Sequence, residues 1–264
     1  MENNKNSLTN LNQVKKEKMD VNSTKSEKKG LGGLIETFFR SFRSLGFYVM
    51  LVPIALMYIF CMGVSLAPGF MLFDIIKNWS MTQPSYLAYP ALGIAVAATY
   101  FSYGITLIFV VPLVNKLLPL KVKTCRTTWY SLDVIPWYYH NALTYLVRYT
   151  FLDFITPTPF NILFFKMMGM KIGKGTVINT SNISDPCLIE LGDYVTIGGS
   201  ATLLAHYGMK GFLIIDRLVI KNKATIGLRA SLFGDVVIGE GATVAPHEVV
   251  MPKTRVPDKD KEAA

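Results

Sequence analysis

The sequence predicts two joined architectures, a membrane α-helical hairpin followed by an all-β parallel solenoid. Two observations carry this. Ile220, Ile226, Leu232, Ile238, Val244, Val250 and Val256 are all aliphatic and stand six apart without a miss. Leu45 to Phe73 and Tyr86 to Val114 each run without a single charge. A helix with 3.6 residues per turn would carry a six-residue period around its whole surface. A flat sheet has a period of two and needs no Gly at a fixed phase. A solenoid of short strands uses six: each repeat gives one strand and one corner, and the aliphatic points into the core.

From the N-terminus, residues 1–44 read as a disordered basic tail. The first 30 are rich in Asn, Lys and Ser and lack aromatics, so they offer little to bury. Residues 45–120 hold the two charge-free stretches. About 20 apolar residues cross a bilayer as a helix, so each is long enough. Pro53, Pro68, Pro90 and Pro112 are tolerated there as kinks or ends. Trp79 and Tyr86 fall where an interfacial belt places aromatics. The connection between the spans is expected near Asp74–Ser85. A signal peptide does not fit, because the first stretch starts late and a second span follows it.

Charge sets the orientation. Residues 1–43 carry nine Lys or Arg, the connection only Lys77, and Lys116, Lys121, Lys123 and Arg126 follow the second span. Both termini are therefore expected on the cytoplasmic side of the cell membrane. The net charge of +9 sits in the tail and beside the membrane, which suits anionic lipid and not nucleic acid. Cys61, Cys125 and Cys187 lie far apart and form neither a disulfide framework nor a metal pair.

Residues 121–168 read as an amphipathic linker. Asn141–Phe154 is expected to be a helix with Leu143, Leu146, Val147, Thr150 and Phe151 on one apolar face. Pro157 and Pro159 end it, and Phe160–Phe165 suits a second short helix. The linker can lie in the membrane interface, with Trp129, Trp137, Tyr138 and Tyr139 as anchors. It can also cap the open end of the solenoid. His140 is expected in that interface. Residues 169–257 are the solenoid, which begins with Ile172 and Ile178, and residues 258–264 are a charged tail.

The motifs Ile197-Gly198-Gly199-Ser200-Ala201-Thr202, Ile226-Gly227-Leu228-Arg229-Ala230-Ser231 and Ile238-Gly239-Glu240-Gly241-Ala242-Thr243 resemble the hexapeptide-repeat acyltransferases. Met168 to Gly175 is similar to that family's entry segment. Asn182-Ile183-Ser184-Asp185-Pro186, Leu188 to Asp193 and Trp129-Tyr130-Ser131 resemble the membrane-linked hexapeptide domain that ends polylysine-type non-ribosomal peptide synthetases. The resemblance covers residues 125–257. It implies a left-handed parallel β-helix of triangular section, with three hexapeptides to a coil, and a homotrimer with sites between neighbouring solenoids.

The hexad breaks once in the middle of the domain. The step from Leu203 to Ile220 is one position short of three repeats, and Ala205–Leu218 leaves the pattern. Loops on rigid scaffolds are where sites are usually built, and His206 opens this one. In the resembling enzymes a His at such a break is the general base toward an acceptor hydroxyl or amine that attacks acyl-CoA. An imidazole suits that task. Asp216 in the same loop is one candidate partner; Asp193 and Glu190, one coil earlier, are others. His247 reads as a surface corner residue. By the same resemblance, CoA lies along the outside of the coils, with Lys221, Lys223 and Arg229 as candidates for its phosphates. Direct transfer implies no metal and no bound cofactor, with acyl-CoA, in the first instance acetyl-CoA, as co-substrate. A sugar or lipid-linked acceptor is expected at the membrane. A γ-type carbonic anhydrase needs three His on zinc, and the solenoid has only His206 and His247. A non-catalytic trimeric membrane scaffold, related to the synthetase accessory domain, is the alternative.

Overall fold

A computed structural model of the chain describes residues 20–259. The tail expected to be disordered holds a helix, α1 (Gly30–Ser41). Glu36 anchors it: its buried carboxylate accepts from Arg40 one turn on at 2.7 Å and from the Leu132 N–H at 3.2 Å. Composition hid this, because the anchor is a single acid meeting a distant backbone group. Residues 1–19 of the expected tail, and 260–264 at the other end, lie outside the described residues.

Two helices follow, α2 (Arg43–Ser80) and α3 (Ser85–Leu117). Both are long and apolar enough to cross a membrane. The turn between them is confined to residues 81–84, shorter than the sequence suggests, because Asp74 and Lys77 continue the helix. The two pack antiparallel where Gly69 meets Thr99. A Cβ on Gly69 would stand 2.8 Å from the Thr99 methyl, and the Thr99 hydroxyl donates to the Gly69 carbonyl at 3.0 Å. Most other apolar side chains of the hairpin point outward, Ile59, Phe60 and Phe109 among them.

The linker opens with β1 (Cys125–Thr128) and continues into α4 (Ile135–Thr150), which starts ahead of the expected Asn141 with Pro136 in its first turn. Then comes α5 (Pro159–Met167), capped by the Thr158 hydroxyl. Leu143, Leu146, Val147 and Phe151 are buried as the apolar face requires, whereas Thr150 is only half-buried. The linker is welded to the hairpin. The Tyr58 and Tyr100 hydroxyls donate to the carbonyls of Ala142 and Thr150, each at 2.7 Å, and Phe151 fills the space left by Gly104. At its other side α5 packs on the first coil, where Phe164 and Phe165 are fully buried and Asn161 donates to the Ile178 carbonyl.

The solenoid repeats three strands per coil. The first coil has β2 (Lys171–Ile172), β3 (Val177–Ile178) and β4 (Ile183–Ser184), and the second has β5 (Ile189–Leu191), β6 (Thr196–Ile197) and β7 (Thr202–Leu204). A hairpin interrupts, β8 (His206–Met209) and β9 (Phe212–Ile215). The third coil has β10 (Leu218–Ile220), β11 (Thr225–Ile226) and β12 (Ser231–Leu232), the fourth β13 (Val236–Ile238), β14 (Thr243–Val244) and β15 (Val249–Val250), and β16 (Arg255–Val256) begins a fifth.

These strands form three parallel sheets, β2-β5-β10-β13-β16, β3-β6-β11-β14 and β4-β7-β12-β15. The hexad aliphatics Ile197, Leu203, Ile220, Ile226, Leu232, Ile238 and Val244 are all buried, and only the end coils expose theirs in part, at Ile172 and Val256. Gly after the aliphatic has a visible cause at Gly198. A Cβ there would stand 2.7 Å from the Gly227 backbone of the next coil.

The break in the hexad is an insertion. Ile220 stacks on Ile238, three hexads on, but pairs back to Leu191, and that backward step is longer by the stretch 206–216. The inserted stretch forms the β8–β9 hairpin, whose free edge pairs antiparallel with β1 as Cys125↔Ile215 through Thr128↔Phe212. So the gap between Leu203 and Ile220 is one repeat plus a hairpin, and not three imperfect repeats.

Candidate active site

His206 is the first residue of the inserted hairpin, directly above the segment that closes β4. Register explains the meeting. Ile183 pairs with Leu203 and Ser184 with Leu204, so the residue after Ser184 stacks beneath Ala205 and His206. That residue is Asp185. Its carboxylate Oδ2 lies 2.5 Å from His206 Nδ1 and accepts the Ala205 N–H at 3.1 Å. Asp185 is fully buried and its backbone is left-handed, φ 57°. This conformation is uncommon outside Gly and more frequent for Asp and Asn. It ends β4 early and turns the carboxylate toward the coil above.

Helix α4 holds Asp185 from below. Asn141 donates through Nδ2 to Asp185 Oδ1 at 2.5 Å, and its Oδ1 accepts the Asp185 N–H at 3.1 Å. One turn on, the Tyr145 hydroxyl meets Ser184 Oγ at 2.7 Å, and Arg148 donates to the Asn182 amide oxygen. Residues 141, 145 and 148 lie on one helical face, and that face reads along residues 182–185 of the first coil. The Asp185 carboxylate thus takes three donors while pairing with no lysine or arginine among the described residues.

A carboxylate on Nδ1 requires the proton there, so Nε2 carries the free lone pair. The ring is further fixed by Trp137, edge-on at 4.9 Å between centroids. His206 remains partly exposed, with 16% of its side chain open against none of Asp185. An imidazole held this way can take a proton from a bound group at Nε2 and return it, its developing charge balanced by Asp185.

Two neighbours are silent. Burial drives the His140 imidazole down to about 4, against a smaller upward pull from the Asp185 charge. It therefore stays neutral, and its Nδ1 meets the Asn115 amide oxygen at 3.0 Å. Expected in the membrane interface, His140 is instead buried between α3 and α4, because its turn of α4 faces the protein. Burial, then the Asp185 charge, pushes the Cys187 thiol up to about 12, which leaves no thiolate to act as a nucleophile. Trp137, expected as an interfacial anchor, is buried beside His206.

The expected partners of His206 are engaged elsewhere. Asp216 accepts from the Arg217 N–H at 2.7 Å, Asp193 from the Lys174 N–H at 2.8 Å, and Glu190 pairs with Lys171 and Arg217. None of them meets His206, since the coil register sets Asp185 under it. Asp185 already stood in the motif that carries the family resemblance. Counting back three hexads from His206 lands on Leu188 instead, because this coil is longer than 18 residues, with Ile183 paired to Leu203.

Lys221 and Lys223 sit at the corner between the first and second sheets, where Lys221 pairs with Asp258 at 2.9 Å and Lys223 lies 3.8 Å from Glu240. Arg229 is at the next corner in a left-handed conformation, φ 54°. Within one chain none of the three joins His206, which marks the third corner. His247 is an exposed corner residue, φ 61°.

No family model matches the chain. It is 26% identical over 136 residues to YvoF of Bacillus subtilis (strain 168), a protein provisionally named as an acetyltransferase; the match covers 49% of this chain and 76% of that one. Among solved structures, Neisseria gonorrhoeae serine acetyltransferase matches at 17% identity and a TM-score of 0.29, over 70% of this chain and 72% of that one. The Bacillus cereus N-acyltransferase AntD, solved with dTDP and coenzyme A, matches at 17% identity and a TM-score of 0.23, over 35% of this chain and 79% of that one.

Proposed function

We propose that the chain is a membrane-anchored acyltransferase, in the first instance an O-acetyltransferase, that works at the cytoplasmic face with His206 as general base and Asp185 as its orienting partner. The Asp185–His206 pair at the mouth of the inserted hairpin, with its carboxylate buried and its imidazole partly open, carries the reading. A solenoid needs no carboxylate–imidazole pair at that place for its own packing, and a buried carboxylate is retained only where donors hold it. The sequence similarity to an acetyltransferase agrees with it.

In the proposed reaction Nε2 of His206 accepts the proton of an acceptor hydroxyl or amine as its heteroatom bonds to the thioester carbonyl carbon of acyl-CoA. The tetrahedral intermediate collapses, the carbon–sulfur bond breaks, and the imidazolium returns the proton to the departing thiolate. The proposed step needs no acyl-enzyme, and the nearby Cys187 thiol, held protonated, offers no thiolate for one. Lys221, Lys223 and Arg229 are proposed to meet the CoA phosphates at the surface of a neighbouring solenoid in a homotrimer, which would bring corners of different chains together.

The test uses the full-length protein in detergent. Acetyl-CoA should raise its melting temperature, and labelled acetyl groups should pass from acetyl-CoA to an acceptor in a cell-envelope extract. In the His206→Ala variant, binding of acetyl-CoA should persist while transfer falls by roughly 10²–10⁴. If acetyl-CoA does not bind, the enzyme reading is dropped in favour of the non-catalytic scaffold. If His206→Ala transfers at the native rate, another residue is the base.

A further inference from the structure

Where α2 begins, the wall of the protein is aromatic. Phe47, Tyr48, Trp129, Tyr130 and Tyr138 line an open cleft of about 380 Å³, and Arg43 stands among them. The Arg43 guanidinium lies 5.1 Å above the Tyr130 ring and has no carboxylate ion pair among the described residues. Arg40 on α1, by contrast, is buried against Glu36, and Arg217 and Arg255 on the solenoid each meet an acid.

The cleft continues in two directions. Toward the hairpin, the exposed side chains Tyr48, Val52, Leu56 and Ile59, spaced three and four apart along one side of α2, carry its surface onto the outer face of that helix. Toward the solenoid, Trp129 packs edge-on against Trp137 at 6.1 Å between centroids, and Trp137 against His206 at 4.9 Å. One indole therefore separates the cleft from the candidate base. That indole is buried, and its N–H has no acceptor among the described residues.

We infer that this cleft is a binding site for an anionic membrane lipid, whose phosphate meets Arg43 and whose chain lies on the aromatic wall and the foot of α2. Three features select this occupant. The cation has no carboxylate partner among the described residues, so a phosphate gains a charge-assisted contact without displacing one of theirs. The ring faces offer a rigid apolar wall with wet edges, as at a membrane interface. The apolar surface is continuous with that of a helix long enough to cross the bilayer, so a lipid reaches the cleft laterally without leaving its leaflet. That the lipid also presents the acceptor hydroxyl to His206 rests on the acyl-transfer reading; the lipid site itself does not.

The test uses the full-length protein in phosphatidylcholine nanodiscs with two photoactivatable diazirine lipids, phosphatidic acid and its neutral twin diacylglycerol. Adducts are mapped by mass spectrometry. Phosphatidic acid should label Phe47, Trp129 and Tyr130 roughly five- to tenfold over diacylglycerol, the preference expected of one juxtamembrane cation that meets a phosphate. Arg43→Gln should abolish the preference and Arg43→Lys should keep most of it. Labelling of Ile75, exposed near the other end of α2 from the cleft, should be equal in all three proteins and reports correct insertion. Equal labelling of the cleft by both lipids, or an unchanged preference in Arg43→Gln, overturns the site. Selective labelling in a protein that fails to bind acetyl-CoA supports the lipid site and removes the acyl-transfer reading. Acetyl transfer to a water-soluble acceptor without selective labelling keeps the enzyme and overturns the site.

Discussion

Asp185 and Asn141 form a chain of positioning that ends at one nitrogen of His206, and each link is separately testable. Asp185→Asn preserves shape but replaces an acceptor oxygen with an amide that can donate. The imidazole then loses its reason to hold the proton on Nδ1, and transfer should fall by roughly 10²–10⁴ with acetyl-CoA binding retained. Asn141→Ala leaves the proposed base and its carboxylate in place but frees Asp185 Oδ1 and the Asp185 N–H. Transfer should fall less than in Asp185→Asn, mostly in kcat, and Asn141→Ser should restore part of it. Equal rates in Asn141→Ala and the native chain would remove α4 from the site. His140 gives a pH signature of folding. Its folded value, about 4, lies below the ordinary 6.5, so between those values the unfolded chain takes up a proton that the folded chain refuses. The stability gained from its burial is complete above about pH 6.5. It is lost as pH falls toward 4, at up to about 1.4 kcal/mol per pH unit. His140→Phe should flatten this part of the pH dependence in melts compared between pH 7.5 and 5; an unchanged slope would assign the dependence to other groups.

At the scale of elements, the hexad fixes which side chains enter the core, and it was legible because six residues per face leave no alternative phase. Ile238 is fully buried and Glu240 lies at a corner, in loose contact with Lys223 across an exposed gap. Ile238→Asp places an unpaired carboxylate in the core and should cost several kcal/mol. Glu240→Lys should change stability by about 0.5 kcal/mol or less. Equal melting of the two would refute the phase. The inserted hairpin was legible only as a break. The β8–β9 strands have no hexad, and their partner β1 precedes the whole solenoid in sequence, a separation that no local pattern reveals. The same holds for the polar face of α4: Leu143, Leu146 and Val147 announce the helix, but Asn141, Tyr145 and Arg148 acquire meaning only once the first coil is built beside them. Removing residues 206–216 joins Ala205 to Arg217 and restores a single hexad step from Leu203 to Ile220. The shortened chain should still melt cooperatively with the parallel sheets intact, since β7–β12 and β5–β10 pairing do not involve the hairpin. Loss of the cooperative transition would show that the insertion is part of the core and not grafted onto it.

At the scale of the molecule, α1 and the linker must lie at the same end of the helical hairpin, because Glu36 of α1 accepts from Leu132 at 3.2 Å. Two crossings bring the chain back to the side it left, so the basic tail and the solenoid share one compartment if α2 and α3 both span. Helix α2 has 38 residues, which at about 1.5 Å each reach roughly 57 Å, well beyond a hydrocarbon layer of about 30 Å. If α2 spans, its ends stand in the interfaces: Arg43 with the aromatic cleft at one, Asp74 and Lys77 at the other. The proposed orientation puts the Arg43 side, with its excess of Lys and Arg, in the cytoplasm, within reach of the proposed acyl-CoA donor. In a background with Cys61, Cys125 and Cys187 replaced, Asn78→Cys should react with an impermeant thiol reagent applied to intact cells, and Asn22→Cys should react only after lysis. The reverse pattern would place His206 outside and separate it from its proposed donor. The same geometry bears on assembly. Lys221, Lys223 and Arg229 lie on different corners of the solenoid from His206, so if these are the phosphate contacts and the base, as proposed, they meet between neighbouring chains and not within one. A homotrimer would align three solenoids above six membrane helices. Crosslinking in mild detergent should stop at three chains, and a monomer with full transfer activity would show that one corner suffices.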